Sequence, residues 1–430
     1  VDLSATIPFL EKRLENVISL GDSADDAYKA LLKEILSYEV SSNEDNLKVV
    51  FSPIHGTGAV ISVPLLEEIG IEVHCVDEQN IMDPSFPTVI SPNPENASAL
   101  KMALDKAEFV GADLVIATDP DADRMGVAVR DGEGRMKLLS GNQIGSLMAD
   151  YRIKTLKERK ILPQEGSENA ALIKTFVTTP MQDAIAKAHG LKVVNTLTGF
   201  KWIGKKLADY EAEMSAKYKE AEGISINYDT TDPDVRADIM MDYATYFVCG
   251  GEESYGYLAH DVIRDKDANA AAILFAEMAA NYKSENLTVM EALDGLYLEH
   301  GFFAEKMINI YYEGAIGAQK IANILKSYRE NPPKNFGEIN VNAVKDFGVS
   351  DIYDEDGKMI PKQDFFFLEC SHGYSFAVRG SGTEPKIKFY VFGQKALSEN
   401  HALPEIKSEL GSAMKEFMEL IEADAHTRAE

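Results

Sequence analysis

From residue 47 onward, short apolar runs alternate with stretches whose apolar positions recur every three or four residues. The run at 47–52 enters a Gly-rich turn at 53–58, and an amphipathic stretch at 59–70 ends on Gly70, a pattern that predicts strand, turn and helix. A second strand is predicted at 71–77, a helix at 94–108, a fully apolar strand at 112–119, and a hairpin over 124–139 turning at Asp131 to Gly134. The alternation then repeats: helix 141–156, strand 171–177, helix 180–189, strand 191–197, a long polar helix over 200–222, strand 245–251, and helices at 267–283 and 288–299. Residues 226–238, acidic and irregular, read as a surface insertion.

After residue 302 strands outnumber helices: 307–314, 338–349, 364–369, 374–379 and 386–392, with helices at 315–329 and 403–423. The expected fold class is therefore α/β, two consecutive mixed α/β sheet domains (39–138 and 139–301) followed by a smaller α+β domain (302–430). Residues 1–38, two polar helical stretches joined by a Gly-Asp-Ser-Ala-Asp-Asp run, read as a helical lead-in or linker.

Composition narrows the function classes. The 430 residues are 45% hydrophobic and 26% charged, an ordinary globular balance. No apolar run reaches the roughly 18 residues a membrane span requires, and the first residues lack a signal-peptide pattern. Cys75, Cys249 and Cys370 are isolated, which argues against disulfides and thiolate zinc and makes a cytoplasmic enzyme the expectation. With 43 Lys and Arg against 70 Asp and Glu, the net charge is −27. Such a field repels nucleic acid and anionic membranes at long range, so neither is an expected partner; a small anion needs only a local cluster of Arg and Lys.

Three strings carry chemistry. Asp119, Asp121 and Asp123 alternate just past the end of a buried strand and are followed by Arg124. Like charges turned inward by a tight loop require a cation, and hard oxygen ligands suit Mg²⁺. An exposed acidic turn, or a phosphatase with a nucleophilic Asp, would read the same way. Arg379-Gly380-Ser381-Gly382-Thr383 combines a guanidinium, two hydroxyls and two glycines, followed by Lys386 and Lys388, the donors an anion needs; a flexible β-turn is the plain alternative. Gly250-Gly251-Glu252-Glu253-Ser254-Tyr255-Gly256 presents carboxylates and a hydroxyl on a Gly-bracketed turn, suited to sugar hydroxyls but equally to a solvated acidic turn. Thr198 and Gly199 end a strand, where Thr198 could simply cap the next helix. Lys266 is a candidate acid/base group or one half of a surface ion pair, and His55 a candidate base or a structural histidine.

In this order the segments resemble the α-D-phosphohexomutase superfamily, the phosphoglucomutase and phosphomannomutase enzymes, over essentially the whole chain. Thr118 to Arg124 resembles its metal loop, Gly251 to Gly256 its sugar-recognition loop, and Arg379 to Lys388 its phosphate-binding loop, with the His55 to Gly58 and Thr196 to Trp202 segments in family positions. The family's T-A-S-H-N-P serine loop does not occur; Ser91-Pro92-Asn93-Pro94-Glu95-Asn96 is the nearest string and lacks the histidine. The chain is thus similar to domains two to four of a four-domain enzyme, lacking the N-terminal phosphoserine domain.

The resemblance implies an isomerase of carbohydrate metabolism, a phosphoglucomutase-like enzyme interconverting glucose 1-phosphate and glucose 6-phosphate, with Mg²⁺ and glucose 1,6-bisphosphate as cofactor and intermediate. By matching position, Asp119, Asp121 and Asp123 would bind Mg²⁺. Arg124 and Lys266 would act on the transferring phosphoryl group. Thr198, Gly199, Glu252 and Ser254 would hold the sugar, and Arg379, Ser381, Gly382, Thr383 and Lys388 the other phosphate. The missing domain of the same protein is the implied partner, and this chain alone would be inactive. Phosphopentomutase, phosphomannomutase, or a non-catalytic sugar-phosphate-binding fragment remain as alternatives; the Gly-Glu-Glu-Ser turn resembles the phosphoglucomutase and phosphopentomutase branches.

Overall fold

The structure is a computed structural model that describes residues 18, 20–37, 47–381, 385–397 and 402–430. Expectations for residues 1–17 and 38–46, and for Gly382 and Thr383, lie outside the described residues.

The first sheet contains β1 (Lys48–Ser52), β2 (Glu72–Cys75), β3 (Leu114–Thr118), β4 (Met125–Arg130) and β5 (Met136–Leu138), in spatial order β2-β1-β3-β4-β5. The first three run parallel and the hairpin antiparallel, as the strand–helix alternation implied. The second sheet repeats the plan with β6 (Ser167–Thr175), β7 (Leu191–Thr196), β8 (Tyr246–Gly251) and β9 (Tyr257–Leu258), in order β7-β6-β8-β9. The last sheet is antiparallel, β10 (Phe302–Tyr311), β11 (Asn335–Phe336), β12 (Ile339–Asp346), β13 (Phe365–Cys370), β14 (Tyr374–Gly380) and β15 (Lys386–Lys395), in order β10-β15-β14-β13-β12-β11.

Three expectations change. The helix placed at 94–108 is Lys101–Val110. The residues before it form turns, with Asn93 Oδ1 accepting from Glu95 N at 2.9 Å and Asn96 N donating to Asn93 O at 3.0 Å; such local bonds compete with helix.

The described part of 1–38 is not a linker. Helix α1 (Asp22–Lys33) buries Leu32, and Ile35 just beyond it, in the main core. Tyr28 packs against the same core, and the charged residues Asp22, Asp26 and Lys33 lie on the exposed side.

Residues 226–238 are not a surface insertion. They include the start of a helix, Pro233–Tyr243, capped by Asp232 Oδ1 on Asp234 N (3.1 Å) and Val235 N (3.2 Å). Its Arg236 is buried and grips Asp261 bidentately at 2.8 and 2.7 Å, with Tyr228 Oη adding a third bond to Asp261 at 2.7 Å. The acidic residues Asp229, Asp232, Asp234 and Asp238 are exposed, while Tyr228 and Arg236 turn inward.

The first two sheets share one core. A single apolar cluster runs from Leu32 through Phe51, Ile116, Leu172 and Phe275 to Phe303. Its centre is the Ala-rich helix Ala268–Ser284, buried at every residue from Ala268 to Ala279; small side chains allow close approach on all sides. The loops at the carboxyl ends of both sheets are thereby fixed on one body.

Period-two alternation explains the last sheet. Phe376 and Val378 of β14, with Phe389 and Val391 of β15, pack under the helices Gly314–Glu330 and Leu403–Arg428. Ala377, Tyr390 and Phe392 face the other way, onto Val177 and Leu197 at the ends of the second sheet's strands. Phe176, Phe347 and Phe365 interlock across that seam at ring separations of 5.0 and 4.8 Å.

An acidic turn of the last unit closes the seam. Asp356 accepts from Lys192 (2.7 Å), Lys206 (2.8 Å) and Tyr210 Oη, Asp354 pairs with Lys206 at 2.6 Å, and Glu355 accepts from Asn195 N at 2.8 Å. Burial opposes charge on Asp356, but the bonds from Lys192, Lys206 and Tyr210 outweigh it and bring its pKa from 3.8 down to about 2. A depressed carboxyl stabilises the fold above its unfolded pKa, and that stabilisation is lost as pH falls toward the folded value; here it is worth about 2 kcal/mol. Asp356→Asn should therefore lower stability to urea by roughly that amount near pH 7, and by less near pH 3. An equal loss at both pH values would show that the ion pairs are not its source.

Candidate functional site

The site is built on loops at the carboxyl ends of strands. β3 is buried throughout and delivers Asp119 to the sheet edge. Asp119 Oδ1 accepts the backbone N–H of Asp123 (3.0 Å) and Arg124 (2.9 Å), and Ala122 takes φ 55° to close the bend. The turn at His55 to Gly58 forms the floor: Thr57 N donates to Pro120 O at 2.9 Å, and a Cβ on Gly56 would lie 2.1 Å from Pro120 Cα. His55 is buried, with Nδ1 against Ile81 O (3.0 Å) and Nε2 against Thr88 Oγ1 (2.8 Å). It is a structural histidine.

Carboxylate oxygens of Asp119, Asp121 and Asp123 lie within 4.8 Å of one another. Burial, then the neighbouring Asp123 and Asp121, push Asp119 up to about 7 against the opposing bond from the Arg124 backbone. Arg124 Nε stands 3.9 Å from Asp119 and 3.7 Å from Asp123, its Nη1 donates to Glu95 at 3.0 Å, and Lys266 Nζ pairs with Asp123. Three crowded carboxylates, only partly countered by Arg124 and Lys266, fit a small divalent cation such as Mg²⁺.

The Gly250–Gly256 turn is stitched to this loop. Arg124 pairs with Gly256 as an antiparallel bridge, and Met125 N donates to Tyr255 O at 3.0 Å. Glu252 N bonds Gly256 O at 2.8 Å, while its Oε1 accepts Gly199 N at 2.7 Å, joining the turn to the end of β7. Ser254 sits half-buried at the tip. A Cβ on Gly256 would lie 2.4 Å from Lys266 Cδ, so the lysine stem runs across bare backbone. Glu253 was not singled out by its sequence context. Its carboxyl accepts from Thr175 Oγ1 at 3.4 Å and is pushed up to about 8, by burial first and Glu252 second.

The alternation of β14 places Arg379 on the seam side, where Nη1 donates to Thr198 Oγ1. Its Nε is buried with no hydrogen-bond partner among the described residues, a donor available for an anion. Lys388 lies opposite Arg379 in the β14–β15 register. Burial, then Lys386 and Arg379, lower its pKa, while Glu253 and Glu95 oppose them. Ser381 N donates to Lys386 O at 2.9 Å. The structure thus gathers Asp119, Asp121, Asp123, Arg124 and Lys266 at one end, and Thr198, Arg379, Ser381 and Lys388 at the other. Glu252, Ser254 and Gly199 lie between.

Residues 26–132 match the model of phosphoglucomutase/phosphomannomutase alpha/beta/alpha domain II, and residues 140–234 and 237–297 match that of domain III. The chain belongs to the phosphoglucomutase/phosphomannomutase family. A phosphoglucomutase of Staphylococcus epidermidis is 32% identical over 354 residues, covering 81% of this chain and 58% of that protein. One of Staphylococcus aureus is 29% identical over 395 residues, 90% of this chain and 64% of that protein. The chain therefore spans under two thirds of the length of these curated relatives. The phosphoglucomutase from Paramecium, pp63/parafusin in an open form, superposes with a TM-score of 0.55 at 18% identity, covering 94% of this chain and 62% of that one. A phosphoglucomutase/phosphomannomutase family protein from Burkholderia thailandensis gives 0.53 at 15% identity, covering 93% and 64%. These likenesses establish the shared family fold.

If the trio holds a cation, Asp121, its exposed member, contributes a ligand without supporting the loop. Asp121→Asn should abolish Mg²⁺ binding in titration calorimetry while leaving the melting temperature unchanged. Equal Mg²⁺ affinity in both proteins would remove the trio from consideration.

Proposed function

We propose that this chain forms the metal, sugar and phosphate walls of a phosphoglucomutase that interconverts glucose 1-phosphate and glucose 6-phosphate. The observation that supports the reading is an acidic group and a cationic group, each meeting the Gly250–Gly256 turn or its partners. The three aspartates with Arg124 and Lys266 make the first, Arg379 and Lys388 the second, and Glu252, tied to Gly199, belongs to the turn. A sugar bearing phosphate at one end and a reacting hydroxyl at the other fits two such groups in either orientation. The Staphylococcus relatives named phosphoglucomutase and the Gly-Glu-Glu-Ser turn favour glucose phosphates within the family.

In this reading Asp119, Asp121 and Asp123 would hold Mg²⁺, whose contribution when bound would be positive charge beside the transferring phosphoryl group. Arg124 steadies that group, and Lys266 handles the proton of the reacting hydroxyl. Glu252 and Ser254, with Thr198 and Gly199, take the sugar hydroxyls. Arg379, Ser381, Gly382, Thr383 and Lys388 grip the phosphate that does not react. Transfer of this kind is driven by positioning and charge neutralisation rather than by covalent chemistry of the walls. Glucose 1,6-bisphosphate is the intermediate, and a phosphoserine on a partner domain of the same protein is the phosphoryl donor, because no T-A-S-H-N-P string occurs among the 430 residues.

Arg379→Ala should weaken glucose 6-phosphate binding roughly 10- to 150-fold, the effect of losing a charged hydrogen bond, and should leave binding of free glucose nearly unchanged. An unaltered dissociation constant for glucose 6-phosphate would defeat the phosphate assignment. The 430-residue chain alone, with Mg²⁺ and glucose 1,6-bisphosphate, should show no turnover, and adding the serine-bearing domain should produce it. Turnover by the mass-verified chain alone would place the phosphoryl carrier within these residues.

A further inference from the structure

Lys266 reaches Asp123 from two residues before the helix Ala268–Ser284, and much of what holds this helix start in place comes from other elements. The next residue, Asp267, is 4% exposed. Its Oδ1 accepts from Ala270 N at 2.9 Å, the ordinary N-cap bond. A cap requires nothing more, yet Asp267 has two further partners. Tyr28 Oη donates to Oδ1 at 2.6 Å from α1, and His260 Nε2 lies 3.0 Å from Oδ2. Ile263 N donates to His260 Nδ1 at 3.3 Å, so the neutral ring carries its proton on Nε2 and donates it to Asp267. Burial, and then Asp267 itself, raise the Tyr28 hydroxyl far above its ordinary pKa, which keeps it a donor.

The backbone is held equally firmly. Asp267 N donates to Tyr257 O at 2.8 Å, and Ala268 N to Ala122 O at 3.0 Å inside the acidic loop. Asn269 extends the network, with Nδ2 3.5 Å from Tyr28 Oη and Oδ1 accepting from Ser62 Oγ at 2.8 Å. The start of the lysine-bearing helix is thus tied at once to α1, to the helix Ala59–Glu68, to β9 and to the loop that carries the aspartates.

We propose that Asp267 is a positioning residue, clamped by Tyr28 and His260, that sets where the Lys266 ammonium stands relative to Asp123. Helix α1 is then part of the site's framework, with Tyr28 as its working contact. The proposal concerns residues that the family reading leaves without a role, and it rests on that reading only for the claim that Lys266 handles a proton.

The test uses the full chain and two readouts. Tyr28→Phe keeps the ring and its packing and removes only the hydroxyl. At one fixed pH, acetylation of Lys266 followed by peptide mass spectrometry should be about three- to ten-fold faster than in wild type, the size expected from losing one net hydrogen bond. The exposed Lys101 and Lys326 should label at unchanged rates. Asp267→Ala should give the same selective increase, and Asp267→Asn, which keeps an oxygen for Tyr28 and Ala270, a smaller one. Unchanged Lys266 labelling in Tyr28→Phe, or an equal rise at all three lysines, would overturn the proposal. With the serine-bearing domain supplied, Tyr28→Phe should lower kcat with KM for glucose 1-phosphate unchanged; a change in KM alone would also overturn it. Should Lys266→Gln leave turnover intact while the labelling effect persists, the proton-handling role of Lys266 fails and the positioning of its side chain stands.

Discussion

Three carboxylates crowded into one bend set the terms for the structure around them. Unit charges 4 Å apart repel by about 1 kcal/mol in water and about 4 kcal/mol in the environment typical near a protein surface. A loop carrying Asp119, Asp121 and Asp123 would spread apart if left alone. It is kept closed by the backbone N–H groups donated to Asp119, by the His55 to Gly58 floor beneath Pro120, and by Arg124 and Lys266 at its flanks. The N–H groups and Arg124 belong to the loop itself, whereas the His55 to Gly58 turn and Lys266 come from other elements, and the shared core of the first two sheets is what allows those to converge. Two sheets with separate cores would let Lys266 and Asp123 drift with every relative motion.

The family and the places of the candidate strings were legible from the sequence wherever the strings lie at strand ends. Asp119 to Arg124 and Gly250 to Gly256 each keep their polar groups within a few consecutive residues, Arg379 and Lys388 face each other on adjacent strands, and the alternation around them predicts where the strands end. Arg379 reaches Thr198 because its parity in β14 is opposite to that of Phe376 and Val378. The sequence did not disclose pairings across long separations. Arg236 looked solvated because its partner, Asp261, lies on another element, and Tyr28 looked like part of a linker because Asp267 lies 239 residues away. The setting of Glu253 shares this cause in part, since its partner Thr175 lies 78 residues away.

The last sheet is packed on both faces, each against a different set of elements. One side is covered by its own helices; the other is packed on the strand ends of the second sheet, with the Asp354 to Asp356 turn fastened to Lys192 and Lys206. Apolar rings hold the centre of that seam, and ion pairs with directional geometry hold its edge. The cationic group therefore depends on docking between units, whereas the acidic group is internal to one of them.

The two-sided sheet also constrains how such a chain can diverge. Along β14, Phe376 and Val378 point to the helices while Ala377 and Arg379 point to the seam. Substitutions respect that division one residue at a time. Adding or deleting a single residue inside the strand would not: it would exchange the two sets, driving the guanidinium into a pocket of phenylalanines and leaving an aliphatic side chain where the anion should lie. Genetic drift in this segment is thus open to changes of spelling and closed to changes of length, and insertions would have to collect in the loops, where parity carries no meaning.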